Sequence, residues 1–183
     1  MTREQAWELL CEWTPSESLR KHMLAVEAAM RYYARRFDEP EAEWAIVGLL
    51  HDFDYERFPT EADHPYRGVE HLRGLGVPEA WLEAILAHAQ YTGVEPKTLM
   101  AKTLLACDEL TGLITATVYV QPTKKIADLK PSSVRKRMKE ASFARKVNRD
   151  DIVRGADLLG IGLDEHIANV VQAMREQADT LGM

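Results

Sequence analysis

Leu104-Leu105-Ala106-Cys107-Asp108-Glu109-Leu110-Thr111-Gly112-Leu113-Ile114 decides how this chain is read, because it sets Asp108 into a run otherwise apolar enough for a buried helix. Helical spacing places Leu104, Leu105, Thr111 and Gly112 three and four residues away, so neither Lys nor Arg stands beside Asp108 to balance its charge. A carboxylate in that setting is costly unless something compensates it, and a metal ion is the commonest strong compensation.

Working outward, the same periodicity recurs. Thr2 reads as the cap of a first helix carrying Trp7, Leu10 and Cys11 on one face. Thr14-Pro15-Ser16-Glu17 reads as the start of a second, with proline in its first turn, running to about Phe37. Its inward stripe is Leu19, His22, Met23, Val26, Ala29, Met30 and Tyr33. A third helix runs from about Pro40 to His51-Asp52, and a polar loop spans Asp54 to Asp63. A fourth opens at Asp63-His64-Pro65, which puts His64 at the N-cap, and a fifth opens at Val77-Pro78-Glu79. The sixth, from Pro96 to about Tyr119, contains Asp108, and its β-branched end, Ile114 to Val120, reads better as helix than as strand. Further helices are expected near Pro131, Arg149 and Leu163-Asp164. The fold class is therefore all-α, with a main helical unit over residues 1–122 and a basic linker plus C-terminal helices over 123–183 packed on it.

At 183 residues, with 46% hydrophobic and 28% charged residues, the chain can bury a sizeable core. No apolar run is long enough to span a membrane, and Met1 to Glu8 does not resemble a signal peptide. Cys11 and Cys107 make no disulfide framework, so a cytoplasmic protein with reduced thiols is expected. The net charge of −6 hides an asymmetry: between Lys124 and Arg149 ten Lys and Arg face only Asp128 and Glu140. That basic segment suits local attraction of an anion. With Phe143 as its one aromatic it lacks a stacking platform, which argues against nucleic acid as partner.

His22 lies mid-helix on an inward stripe, His51-Asp52 at a helix C-terminus, and Asp108 on a third helix. Imidazole and carboxylate donors from three helices suit a divalent ion with open positions for water, though each histidine taken singly also reads as a hydrogen-bonded core residue. His71, on an ordinary helix, and His166, in what reads as a solvated helix start, are left outside the set.

The order His22, His51-Asp52, Asp108 on successive helices resembles the HD superfamily of metal-dependent phosphohydrolases, and Gly48-Leu49-Leu50-His51-Asp52 resembles its core motif. The likeness spans roughly Ser18 to Gly112 and implies an HD-type bundle with additional C-terminal helices. It implies that His22, His51, Asp52 and Asp108 ligate one metal, with Asp52 catalytic and able to bridge to a second. His64-Pro65-Tyr66-Arg67-Gly68 and Ala84-Ile85-Leu86-Ala87-His88 are similar to segments of binuclear members, which adds His64 and His88 as ligands of that second ion. One or two ions per chain are implied; manganese, iron, zinc, cobalt and magnesium are not distinguished.

The chain departs from many binuclear members, which continue the pair as His-Asp-Ile-Gly-Lys, where it has His51-Asp52-Phe53-Asp54-Tyr55. The lysine, a phosphate contact, is absent, which argues against cyclic-dinucleotide phosphodiesterase activity. Arg57, Arg145 or Arg149 is expected to replace it, and Thr111 is expected to donate to a phosphate. The expected function is hydrolysis of a small phosphorylated substrate, a nucleotide or phosphometabolite, with a phosphomonoesterase ranked before a dinucleoside polyphosphate hydrolase. A regulatory module that binds metal or nucleotide without turnover is the rival reading from another class.

Overall fold

The computed structural model describes residues 1–183 and contains ten α-helices and no strand. They are α1 (Arg3–Trp13), α2 (Glu17–Phe37), α3 (Glu41–Leu50), α4 (Tyr66–Gly74), α5 (Glu79–His88), α6 (Leu99–Tyr119), α7 (Pro131–Arg137), α8 (Arg149–Leu159), α9 (Leu163–Arg175) and α10 (Ala178–Leu181). Short 3₁₀ turns fall at Gln90–Thr92 and Ile126–Asp128. No helix is long and apolar enough to cross a membrane.

Local chemistry fixes the helix ends. Thr2 and Gln5 form a reciprocal capping box on α1. Ser16 caps α2, so Pro15 precedes the helix rather than lying in its first turn. Thr98 caps α6 through the Ala101 amide. The Asn148 side chain accepts from the Asp150 and Asp151 amides at the start of α8. Pro65, not His64, is the N-cap of α4, which leaves His64 in the preceding turn. The β-branched stretch up to Tyr119 continues α6 as helix.

The long helices α2 and α6 form the centre. α3 packs along α2, while α5 and α8 flank α6. One hydrophobic cluster joins Leu10, Met30, Leu50, Leu82 and Leu104 to Ile152, Ile167 and Val170, so the C-terminal helices share the core of the rest. α8 approaches α6 closely at Gly155, where an added Cβ would lie 2.3 Å from the Ala106 Cα. Only glycine fits that crossing.

His166 overturns its expected place at a solvated helix start: it is fully buried. Its Nε2 donates to the Ala106 carbonyl at 2.8 Å, so Nδ1 accepts from the Tyr33 hydroxyl at 2.6 Å. Asn169 donates to the Tyr33 oxygen and accepts from Tyr32. This chain of hydrogen bonds ties α2, α6 and α9 together. The signal was present in the sequence, since His166 precedes Val170 by one helical turn, but the acidic Asp164-Glu165 beside it masked the inward face.

Candidate metal centre

α2, α3 and α6 bring His22, His51 and Asp108 together. His22 Nε2 lies 3.0 Å and His51 Nε2 3.3 Å from Asp108 Oδ1. The turn after α3, the entry to α4 and the end of α5 bring Asp52, His64 and His88 together, with Nε2 of His64 and of His88 at 3.1 and 3.0 Å from Asp52 Oδ1. Asp52 Oδ2 lies 3.8 Å from His51 Nε2, so Asp52 stands between the two groups. In each group the donor atoms lie within 4.8 Å of one another, and each group could hold a metal ion.

The ring tautomers are set from behind. His51 Nδ1 donates to the Gly48 carbonyl at 2.8 Å, and His88 Nδ1 donates to the Ile85 carbonyl. His64 Nδ1 donates to Asp54 Oδ1 at 2.7 Å. A carbonyl or carboxylate only accepts, so in each neutral ring the hydrogen sits on Nδ1 and the Nε2 lone pair points into the site. His22 Nδ1 faces the Thr111 hydroxyl at 3.4 Å, which itself donates to the Asp108 carbonyl at 2.8 Å.

Asp54 is a functional candidate that the sequence reading passed over. It is buried, and it accepts from His64 Nδ1 and from the Gly68 amide, the latter at 2.7 Å. A Cβ at position 68 would lie 2.8 Å from the Asp54 carboxyl carbon, so the first turn of α4 presses on this carboxylate. The polar stretch after Asp52 read as surface loop, and nothing in its pattern marked one member as buried.

Electrostatics favour a positive occupant. Burial works against ionised Asp52, yet His51, His64 and His88 hold it well below the usual carboxylate range. Burial likewise opposes ionised Asp108, and His51 and His22 overcome it. Burial opposes a charged His64 too, but Asp52 and Asp54 raise it to about 9. The carboxylates thus favour the charged forms of His51, His64 and His88. His51 Nε2 and Asp52 Oδ1 are buried and make no properly directed hydrogen bond, despite their short distances to neighbours. Groups aimed at a common point rather than at each other are what a cation site requires, and the residues present fit a divalent ion.

A cavity of about 280 Å³ opens over this centre. Asp52, His64, His88 and Asp108 form its base, with Tyr55, Tyr91, Gln90, Glu109 and Asp151 around it. Burial, helped by Asp108, pushes Glu109 up to about 7. No Lys or Arg lines the cavity.

That corrects the expected phosphate contacts. The Arg149 guanidinium donates to the carbonyls of Ala144, Val147 and Phe143, tying down the basic segment instead of facing the site. Arg57 lies over the Trp13 ring and donates to the Glu12 carbonyl at 2.8 Å. Arg145 is exposed and does not line the cavity. Thr111 is buried behind His22 and does not line it either.

The site lies in an all-helical bundle in which two adjacent His/Asp groups could each hold a metal ion. The family model described as HD domain matches residues 19–113, just over half of the chain. The chain belongs to the HD superfamily of metal-dependent phosphohydrolases. No curated protein and no solved structure matches it.

Proposed function

We propose that this protein is a divalent-cation-dependent phosphohydrolase acting on a phosphomonoester, with His22, His51, Asp52 and Asp108 holding one cation and Asp52, His64 and His88 a second. The observation that carries the reading is the convergence of the buried, unpartnered His51 Nε2 and Asp52 Oδ1 with four other donor side chains. Bound divalent cations lower the pKa of water and neutralise charge on phosphoryl oxygens. The chain's own part is positional. Gly48, Ile85 and Asp54 fix three imidazoles by their Nδ1 hydrogens, and Asp52 spans both groups. Tyr91, which donates to the His64 carbonyl at 3.2 Å, and Tyr55, edge-on to the His64 ring, line the cavity beside the centre.

A monoester is preferred over a polyphosphate because the small cavity offers no side-chain cation for additional phosphates. The same absence favours, as a second reading, a module that binds metal or nucleotide without turnover. Protein purified without chelator is to be assayed with nucleoside monophosphates, sugar phosphates and dinucleoside polyphosphates, with manganese, iron, cobalt, zinc or magnesium supplied in turn. Phosphate release from monoesters that stops with chelator and returns with metal supports the enzyme. Metal binding without release from any ester supports the module.

A further inference from the structure

The cavity over the metal centre carries more negative charge than the His/Asp groups use. The carboxylates of Asp52, Asp108, Glu109 and Asp151 line it together with His64 and His88, and no Lys or Arg does. Asp52 and Asp108 face imidazole nitrogens. Glu109 and Asp151 are left over. Asp151 is buried at the start of α8, where it accepts from the Asn148 side-chain amide at 2.5 Å and from the Gln90 side-chain amide. Both donors are neutral, so they orient this carboxylate without cancelling its charge. Glu109 follows Asp108 on α6 and stands near enough to Asp151 for the two carboxylates to repel. A positive group beside both relieves that repulsion.

Tyr91, next in the chain to Gln90, lines the same cavity, as does Tyr55, and both rings are half-exposed. Tyrosine rings attract a cationic nitrogen through the negative charge of their faces. At about 280 Å³ the cavity falls below the roughly 300–1,000 Å³ typical of small-molecule sites, so it suits a substrate smaller than a nucleotide. A nucleoside, moreover, offers no cationic nitrogen at neutral pH. That a ligand belongs here is argued independently by His51 Nε2, on a fully buried ring, and by Asp52 Oδ1 at the cavity base, neither of which has a hydrogen-bond partner.

We propose that the cavity selects phosphomonoesters of small amino alcohols, with the substrate's cationic nitrogen held by Glu109 and Asp151 beside the tyrosine rings. The phosphate end rests on the phosphohydrolase reading; the cationic end rests on the excess carboxylates alone. In the reaction the oxygen of water bonds to phosphorus as the bond from phosphorus to the ester oxygen breaks. The amino alcohol leaves with one proton of that water, and inorganic phosphate remains, so no co-reactant is needed.

The test compares substrates that differ in charge and little in shape, on the full metal-loaded chain. Ethanolamine phosphate is paired with propyl phosphate, and choline phosphate with its carbon isostere, in which a tertiary butyl group replaces trimethylammonium. The kcat/KM for the cationic member of at least one pair is expected to exceed that of its neutral partner by about tenfold or more. Which pair responds tells a primary from a quaternary nitrogen. The ratio is expected to fall by at least about fivefold in Glu109→Gln and in Asp151→Asn, and losses common to both substrates cancel in it. A binding arm uses aminopropyl phosphonate against butyl phosphonate, whose carbon–phosphorus bonds are not hydrolysed, followed by calorimetry.

Hydrolysis with a ratio near one in both pairs overturns the proposal and leaves the phosphohydrolase reading standing. Tighter binding of the aminopropyl compound, weakened in both variants, without hydrolysis of any ester upholds the cationic subsite and removes that reading. Fewer divalent ions bound per chain in Glu109→Gln or Asp151→Asn than in wild type would make the carboxylate a metal ligand and overturn the proposal.

Discussion

Asp54 carries the sharpest single-residue expectation. It accepts the Nδ1 hydrogen of His64, and partners of that kind typically contribute 10- to 100-fold to metal affinity. Asp54→Ala is therefore expected to weaken cation binding at the Asp52–His64–His88 group by about that factor, with the His22–His51–Asp108 group much less affected. A titration with a spectroscopically visible ion such as cobalt checks it; two unchanged binding steps would remove Asp54 from the site. Arg149 is expected to behave oppositely. Arg149→Ala strips donors from three carbonyls, so it should lower stability by about 1–3 kcal/mol while leaving catalytic efficiency within about twofold. Denaturant melts and steady-state kinetics on the same preparation separate the two effects. His22, His51, Asp52 and Asp108 stood out in the sequence because each interrupts or ends an apolar helical stripe, where an uncompensated polar group is improbable on energetic grounds. Asp54 did not, because its burial comes from the later approach of Gly68, and Arg149 misled because a cation's sign is visible in sequence whereas its carbonyl partners are not.

Helices α2, α6, α8 and α9 hold the centre in place through two contacts of different kinds. The first is steric, at Gly155 against Ala106. Gly155→Ala forces α8 away from α6, and overpacking of this kind costs about 1–3 kcal/mol, or roughly 2–12 °C in Tm for a chain of this size. Differential scanning calorimetry checks it; an unchanged Tm would mean that α6 and α8 yield at no cost. The second contact is polar, from Tyr32 through Asn169 and Tyr33 to His166 and the Ala106 carbonyl. Helix boundaries were legible from caps and apolar spacing, since those signals are local. The pairing of α9 with α2 through His166 was not, because it depends on which surfaces meet after folding.

The whole molecule inherits a pH dependence from that buried imidazole. Burial lowers His166 to about 4, whereas an unfolded histidine titrates near 6.5. Between those values the unfolded chain holds the extra proton, so acid favours unfolding. The contribution is complete above about pH 6.5 and is lost as pH falls toward 4, by on the order of 3 kcal/mol. The difference in unfolding free energy between wild type and His166→Leu, measured from pH 7.5 to 4, isolates this group from the other histidines. A difference that does not change across that window would contradict a neutral buried His166.

The number of divalent ions bound per chain at saturation tests the proposed pair of cation positions sharing Asp52 most directly. Equilibrium titration with cobalt or manganese, checked by elemental analysis, is to be run on wild type and on His88→Ala. The expected result is two ions per wild-type chain and one in His88→Ala, because the His22–His51–Asp108 group keeps its donors while the Asp52–His64–His88 group loses one. Wild type that binds no ion at saturation, or the same number bound by both proteins, would contradict it.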